Sequence, residues 1–453
     1  MTEPTVSYQC DGANAEMTVE EMMDFIRYCP PGPWPNGWHG WDNVHHAHVR
    51  LLNEFVANLT EYPEGRFKKG RCIVSCVSAK PGFSSGKDLK HGYLPAAWVM
   101  VNELRRLGCT LPVIFAHLGP LEWSPRLTEM MKPLGVEVVD LRKIERKHPA
   151  RILAGWESKA YAIQNTMYEE VLFLDADNVP IRDPSYLFDD AVYKDRGAMF
   201  WPDLPPHDRK EWLPEAVWSA IGLPYDPGVD FESGQILINK KKCWKELAVT
   251  RWINDHSDRY YRIVFGDKST FRLGWAKLGT KYAITHQAAG WNGGAIMQHD
   301  MDGALLFEHC AQNKPDLDGY PKRRGDLPSC LSNPGQCKAH LESLKAQWDG
   351  RIWDGSEGED LEVADGMVGK TFLYKRIGLG ERPIRFLEDN RIGKGADRCE
   401  FSWGIQGGSL AVSGIDGRLT MLLNKRPDGI WVGAWEEHEK AAVLLEPLDE
   451  VTA

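Results

Sequence analysis

No stretch of the 453 residues approaches the roughly 18 to 20 consecutive apolar residues that a membrane span needs. The opening residues, Met1-Thr2-Glu3-Pro4, lack the basic-then-apolar pattern of a secretion signal. Positive charge is also in short supply: 54 Lys and Arg stand against 64 Asp and Glu, a net charge of −10. Phosphate-backbone binding needs a basic excess, so nucleic acid is excluded as the main partner, and so is a polybasic hold on anionic membranes. Paired cysteines are missing as well. The ten cysteines are scattered, and three residues separate Cys72 from Cys76, so they do not form a CxxC redox pair. Together these absences predict a reduced, cytoplasmic protein. What is present is ordinary for a globular chain of two or three domains, with 43% apolar and 26% charged residues. The exception is 18 Trp. Aromatic rings stack on sugar faces, but packing in cores accounts for most of them.

Residues 1–66 read as an N-terminal helical segment, interrupted by Pro30-Pro31-Gly32-Pro33-Trp34-Pro35. Within it Val44, His48, Leu51, Phe55 and Leu59 fall at helical spacing. His45, His46 and His48 have no acidic or cysteine partner at ligand spacing and read as surface or packed histidines. Over residues 67–320 short apolar runs alternate with helical stretches, the pattern of a parallel α/β sheet. The strands are predicted around residues 72–77, 111–116, 136–141 and 171–174, with helices over 94–107 and 159–168. The run Gly82-Phe83-Ser84-Ser85-Gly86-Lys87-Asp88 is one residue short of a phosphate loop and puts Asp where Ser or Thr must hold magnesium, so that reading is rejected. Residues 321–365 form a connecting region with one helix near 338–348. Residues 366–453, with Asp416-Gly417 and Asp428-Gly429 between apolar runs, predict a small antiparallel β domain of unassigned role. Its Trp403, Trp431 and Trp435 read as core rather than as glycan binders.

The fourth strand, Val171-Leu172-Phe173-Leu174, is apolar on both faces and delivers Asp175-Ala176-Asp177 at its carboxyl end. In open α/β sheets that edge is where ligands bind. Two carboxylates around one small residue can reach one divalent cation, and hard oxygen ligands suit Mn²⁺ or Mg²⁺ shared with a diphosphate. An isolated Asp-x-Asp is common by chance; its place after a buried strand raises it above that.

The surrounding stretch, Glu169-Glu170-Val171-Leu172-Phe173-Leu174-Asp175-Ala176-Asp177-Asn178-Val179-Pro180-Ile181-Arg182-Asp183-Pro184, resembles the fungal Mnn1/Mnn2-type α-mannosyltransferases. The resemblance runs on in order through Phe200-Trp201-Pro202-Asp203, Glu232-Ser233-Gly234-Gln235-Ile236-Leu237-Ile238-Asn239, Tyr260-Tyr261 and Gly266-Asp267-Lys268-Ser269-Thr270-Phe271, over roughly residues 70–315. It implies a GT-A Rossmann-like domain, distantly glycogenin-like, that moves a hexose with retention from a nucleotide sugar, GDP-mannose before a UDP-sugar, to a carbohydrate or glycolipid hydroxyl. It further implies that Asp175, Asp177 and His309 hold the metal, that Lys159, Asp175, Gly234, Gln235 and Lys314 face the donor, and that Glu232 and Asp267 flank the reacting sugar. For the third ligand His299 competes with His309. Asp267 also reads as an N-cap for the helix that follows it, and Lys268 stands where glycogenin-like relatives carry an amide. From another class, a catalytically silent glycan-binding protein on the same scaffold would need no such intact set. The chain shows no family-type membrane anchor, which predicts a bacterial cytoplasmic rather than a Golgi setting.

Overall fold

The computed structural model describes residues 18–20, 23, 26, 41–80, 82–84, 87–119, 122–153, 155–207, 210–312, 314–317, 331–352, 367–376, 380–387, 391–395, 400, 402–406, 409–413, 419–426, 429–435 and 442–448. The Pro-rich break at 30–35, Cys10, Cys29, Cys330 and Cys399, and residues 321–330 of the connecting region lie outside them. The chain divides into two compact units, residues 51–352 and residues 1–50 with 353–453.

In the first unit the predicted strands form β1 (Lys68–Cys76), β2 (Val113–His117), β3 (Val136–Asp140) and β4 (Tyr168–Leu174), which pair in parallel. A three-residue strand β5 (Asn178–Pro180) follows, then β6 (Ala198–Pro202), β7 (Phe231–Asn239) and β8 (Ala283–Ile284). The sheet order is β8-β6-β7-β4-β1-β2-β3, with β7 antiparallel to both neighbours. The reversal of β7 was not legible, because a strand buried on both faces carries no alternation that reports direction. This seven-stranded mixed sheet is the GT-A arrangement that the resemblance implies.

The pleat sends alternate residues to opposite faces. Ile73, Leu172 and Leu174 pack under the helix α1 (Leu94–Arg106), while Cys72, Val74, Val171 and Phe173 pack against α2 (Glu157–Asn165), α3 (Trp244–Asp255) and α4 (Lys268–Leu278). Strand β3 stops at Asp140, short of the predicted 141, because its carboxylate accepts from Arg142 N at 2.9 Å and caps a short helix. The predicted 159–168 helix ends at Asn165, and Tyr168 already belongs to β4. A second, antiparallel sheet of order β9-β10-β11-β5 uses β9 (Gly290–Trp291), β10 (Ile296–His299) and β11 (Leu305–His309). Residues 82–84 and 87–89 pair as two short antiparallel strands. A helix spans Trp41–Ala57, and α5 (Pro334–Lys345) is the helix of the connecting region.

Among its described residues the second unit has seven antiparallel strands, β12 (Thr371–Arg376), β13 (Gly380–Arg385), β14 (Ser402–Gln406), β15 (Ser409–Ser413), β16 (Leu419–Lys425), β17 (Trp431–Trp435) and β18 (Ala442–Pro447), in the order β13-β12-β18-β17-β16-β15-β14. Trp403, Trp431 and Trp435 are buried in its core.

Candidate functional site

Strand β4 ends at Leu174, and the chain then turns sharply. Asp175 N donates to Gly234 O at 2.8 Å, and Asn178 N donates back to Asp175 O at 3.0 Å. The buried Asn178 side chain braces this turn from within, donating to Gly234 O at 2.7 Å and Gln235 Oε1 at 2.8 Å. Because β5 pairs with β11, with Asn178 opposite His309, the end of the second sheet is laid over the end of the first. Cys310 N donates to Asp177 O at 2.9 Å and fixes that junction.

The result is a set of three ligand-type side chains, Asp175, Asp177 and His309, whose ligand atoms lie within 4.8 Å of one another. Among the described residues this is the one group of three or more His, Cys, Asp or Glu side chains able to share a cation. His309 Nε2 stands 3.3 Å from Asp177 Oδ1 and 3.8 Å from Asp175 Oδ2. Its Nδ1 faces Glu232 Oε1 at 3.0 Å. Both oxygens of Glu232 are engaged, since Oε1 also accepts from Gly234 N at 2.8 Å and Oε2 accepts from Gln235 Nε2 at 2.5 Å. A Cβ on Gly234 would meet His309 Nδ1 at 2.5 Å, so the imidazole occupies the space that the missing side chain leaves. The histidine group at 45–48 forms no such cluster, and His299 is paired opposite Leu305, at the far end of the β10–β11 hairpin from His309.

Two lysines serve the carboxylates. Lys159 Nζ lies 3.1 Å from Asp175 Oδ1 and 3.0 Å from Asp267 Oδ2, and donates to Ser233 O at 2.8 Å. Lys314 is paired with Asp177 Oδ2. Asp267 holds the N-cap position of α4 but makes no capping hydrogen bond there; its carboxylate goes to Lys159 instead. Lys268 pairs with Asp203 and lies 3.2 Å from the centroid of the Trp212 ring. Ser233 and Asn178 were given no role on sequence; both are small polar residues within recognised motifs, which is the one signal they carried.

Burial pushes the Asp175 carboxyl up to about 6, against the pull of Lys159 and His309. Burial acts the same way on Asp177, but Lys314 and His309 override it and hold this carboxyl well below the usual range. Burial disfavours the charged form of His309, yet Glu232 and Asp177 raise its pKa well above the ordinary value. Without a cation the imidazole is thus protonated, and four carboxylates face two lysines and that ring. Two carboxylate oxygens and an imidazole nitrogen are a donor set suited to Mn²⁺ or Mg²⁺.

A model of the family described as "Mannosyltransferase putative" matches residues 85–219 and 224–313, a stretch that carries every one of these site residues except Lys314. The chain belongs to this mannosyltransferase family. Curated relatives include Alpha-1,2-mannosyltransferase MNN2 of Saccharomyces cerevisiae, 24% identical over 305 residues covering 56% of this chain and 51% of that protein. Alpha-1,2-mannosyltransferase MNN22 of Candida albicans is 25% identical over 288 residues, 49% of this chain and 47% of that protein. The chain spans about half the length of the curated relatives it matches. Among solved structures, the galactosyltransferase LgtC in complex with donor and acceptor sugar analogs aligns over 62% of this chain and 100% of that one, at 12% identity and a TM-score of 0.37. The mannosyltransferase relatives come from fungi, which corrects the expectation of a bacterial cytoplasmic protein. No helix among the described residues is long and apolar enough to cross a membrane.

Proposed function

We propose that the chain is a retaining glycosyltransferase that moves mannose from GDP-mannose to a hydroxyl of a glycan or glycolipid, with a divalent ion held by Asp175, Asp177 and His309. The observation that carries this reading is the convergence of those three side chains, all within the stretch matched by the mannosyltransferase family, with Lys314 at the carboxyl end of β4. A bound Mn²⁺ or Mg²⁺ would supply the positive charge that stabilises a nucleoside diphosphate leaving group.

The protein's own residues do the rest. Glu232 holds Nδ1 of His309, so that Nε2 is turned toward the two aspartates. With both of its oxygens taken, Glu232 serves as a positioning residue rather than a nucleophile. Lys314 reaches the site as a cation for the diphosphate, and Lys159 fixes Asp175 and Asp267 relative to one another. Asp267 then stands as the carboxylate beside the transferred sugar. Gly234 and Gln235 line the same edge, within β7.

The test is nucleotide-sugar turnover by the full chain with and without Mn²⁺, together with Asp177→Ala. Wild type should hydrolyse or transfer from GDP-mannose, EDTA should silence it, and Asp177→Ala should abolish turnover while keeping the thermal unfolding transition. Turnover untouched by chelator, or normal Mn²⁺-dependent activity in Asp177→Ala, would sink the metal assignment.

A further inference from the structure

Most of the tryptophans that the fold describes lie in cores; Trp201, Trp218, Trp275 and Trp431 are fully buried. Trp156 does not follow them. It is 59% exposed, as is Phe265, and the two are the most exposed aromatic side chains among the described residues. Exposed aromatic faces that stand together and are held rigid can serve recognition. Both are chained directly to the site. Trp156 is the N-cap residue of α2, three positions before Lys159, and Phe265 stands two positions before Asp267.

The rings are also held in place. Gly266, with φ +65°, brings bare backbone against the Trp156 ring; a Cβ there would come within 2.8 Å of it. Tyr261 supports Trp156 with ring centroids 6.1 Å apart. Phe265 packs against Trp212 at 5.7 Å, and the Lys268 ammonium, paired with Asp203, lies over both of those rings. The Gly266 backbone thus joins the Trp156 ring to Phe265, while the Lys268–Asp203 pair lies beside Phe265, with Lys268 next in sequence to Asp267. A pyranose has the matching character, with an apolar C–H face and a rim of hydroxyls.

We propose that Trp156 and Phe265 form the acceptor subsite, on which a pyranose of the acceptor glycan stacks while Lys268 and Asp203 hold its hydroxyls. The proposal rests on the glycosyl-transfer reading above, and its test separates the two. The probe is α-1,2-mannobiose, with saturation-transfer NMR reading its binding to the full chain in the presence of GDP and Mg²⁺. Wild type should bind it; Trp156→Ala and Phe265→Ala should each weaken that binding about tenfold, the usual cost of truncating an aromatic anchor. Trp156→Phe, which keeps a flat ring, should stay within about threefold of wild type. GDP affinity with Mg²⁺, measured by calorimetry, should be unchanged in all three variants. Mannobiose binding that is absent in wild type, or equal in wild type and both alanine variants, overturns the subsite while GDP binding leaves the transferase reading standing. A folded wild type that binds no GDP with Mg²⁺ sinks that reading and the subsite with it.

Discussion

Gly234 shows how one residue can be legible in importance while one of its contacts stays hidden. The sequence places it beside the transferred sugar, as a glycine that lets the backbone approach. In the structure, the space it leaves open is filled by the His309 imidazole, 2.5 Å from where a Cβ would stand. That contact is between residues 75 apart in sequence, and no local pattern could report it. Gly234→Ala should therefore push the imidazole aside and raise the Mn²⁺ dissociation constant about tenfold or more, with the melting transition retained. Calorimetric titration decides it, since an unchanged constant would mean His309 is not a ligand. The same site sets a pH dependence. A cation must displace the proton that Glu232 and Asp177 hold on His309, and needs the Asp175 carboxyl, raised to about 6, in its ionised form. Both effects have one sign: Mn²⁺ affinity should climb steadily from about pH 5.5 to pH 8, with protons released on binding. Affinity that is flat over this range would contradict the protonated imidazole. Asp175, Asp177, His309 and Lys314 were named as candidates by motif and order, and they stand together in the fold; the engagement of Glu232 with His309 needed the fold.

At the scale of elements, what the sequence made visible was the set of long buried strands, whose Val, Ile, Leu and Phe runs have no other home. It did not show the direction of β7, nor β5, whose three residues end in proline and resemble a loop. Helices α3 and α4 pose a similar problem, because their closeness depends on a single glycine. Gly274 faces Thr250, and a Cβ at 274 would fall 2.1 Å from Thr250 Oγ1 and 3.1 Å from Glu246 O. Gly274→Ala should force the two helices apart at a cost of about 1–3 kcal/mol, read as a lowered urea midpoint. Thr250→Ala in the same chain removes the nearest obstacle and should recover part of the loss. A double variant no more stable than Gly274→Ala alone would show that backbone, not the hydroxyl, sets the spacing.

For the whole molecule, every residue of the candidate site, and every residue that supports Trp156 and Phe265, falls within residues 51–352, one compact unit with its own cores. A fragment of those residues should bind GDP with Mn²⁺ as tightly as the full chain. If the fragment is folded by circular dichroism but binds nothing, the remaining residues take part in building the donor site. The β domain was legible from the apolar runs of β15 to β18, but β12, β13 and β14 were not, since mixed polar residues and glycines there blur the alternation. The pairing of β5 with β11 also has a consequence in time. It joins Asn178 to His309 across a loop of about 130 residues, whose closure carries a large entropic cost before any contact rewards it. During synthesis the aspartates leave the ribosome long before their imidazole partner. If Asp175, Asp177 and His309 hold a cation as proposed, the full three-ligand set exists only once β11 is complete, and the site becomes competent in one late step rather than growing by stages.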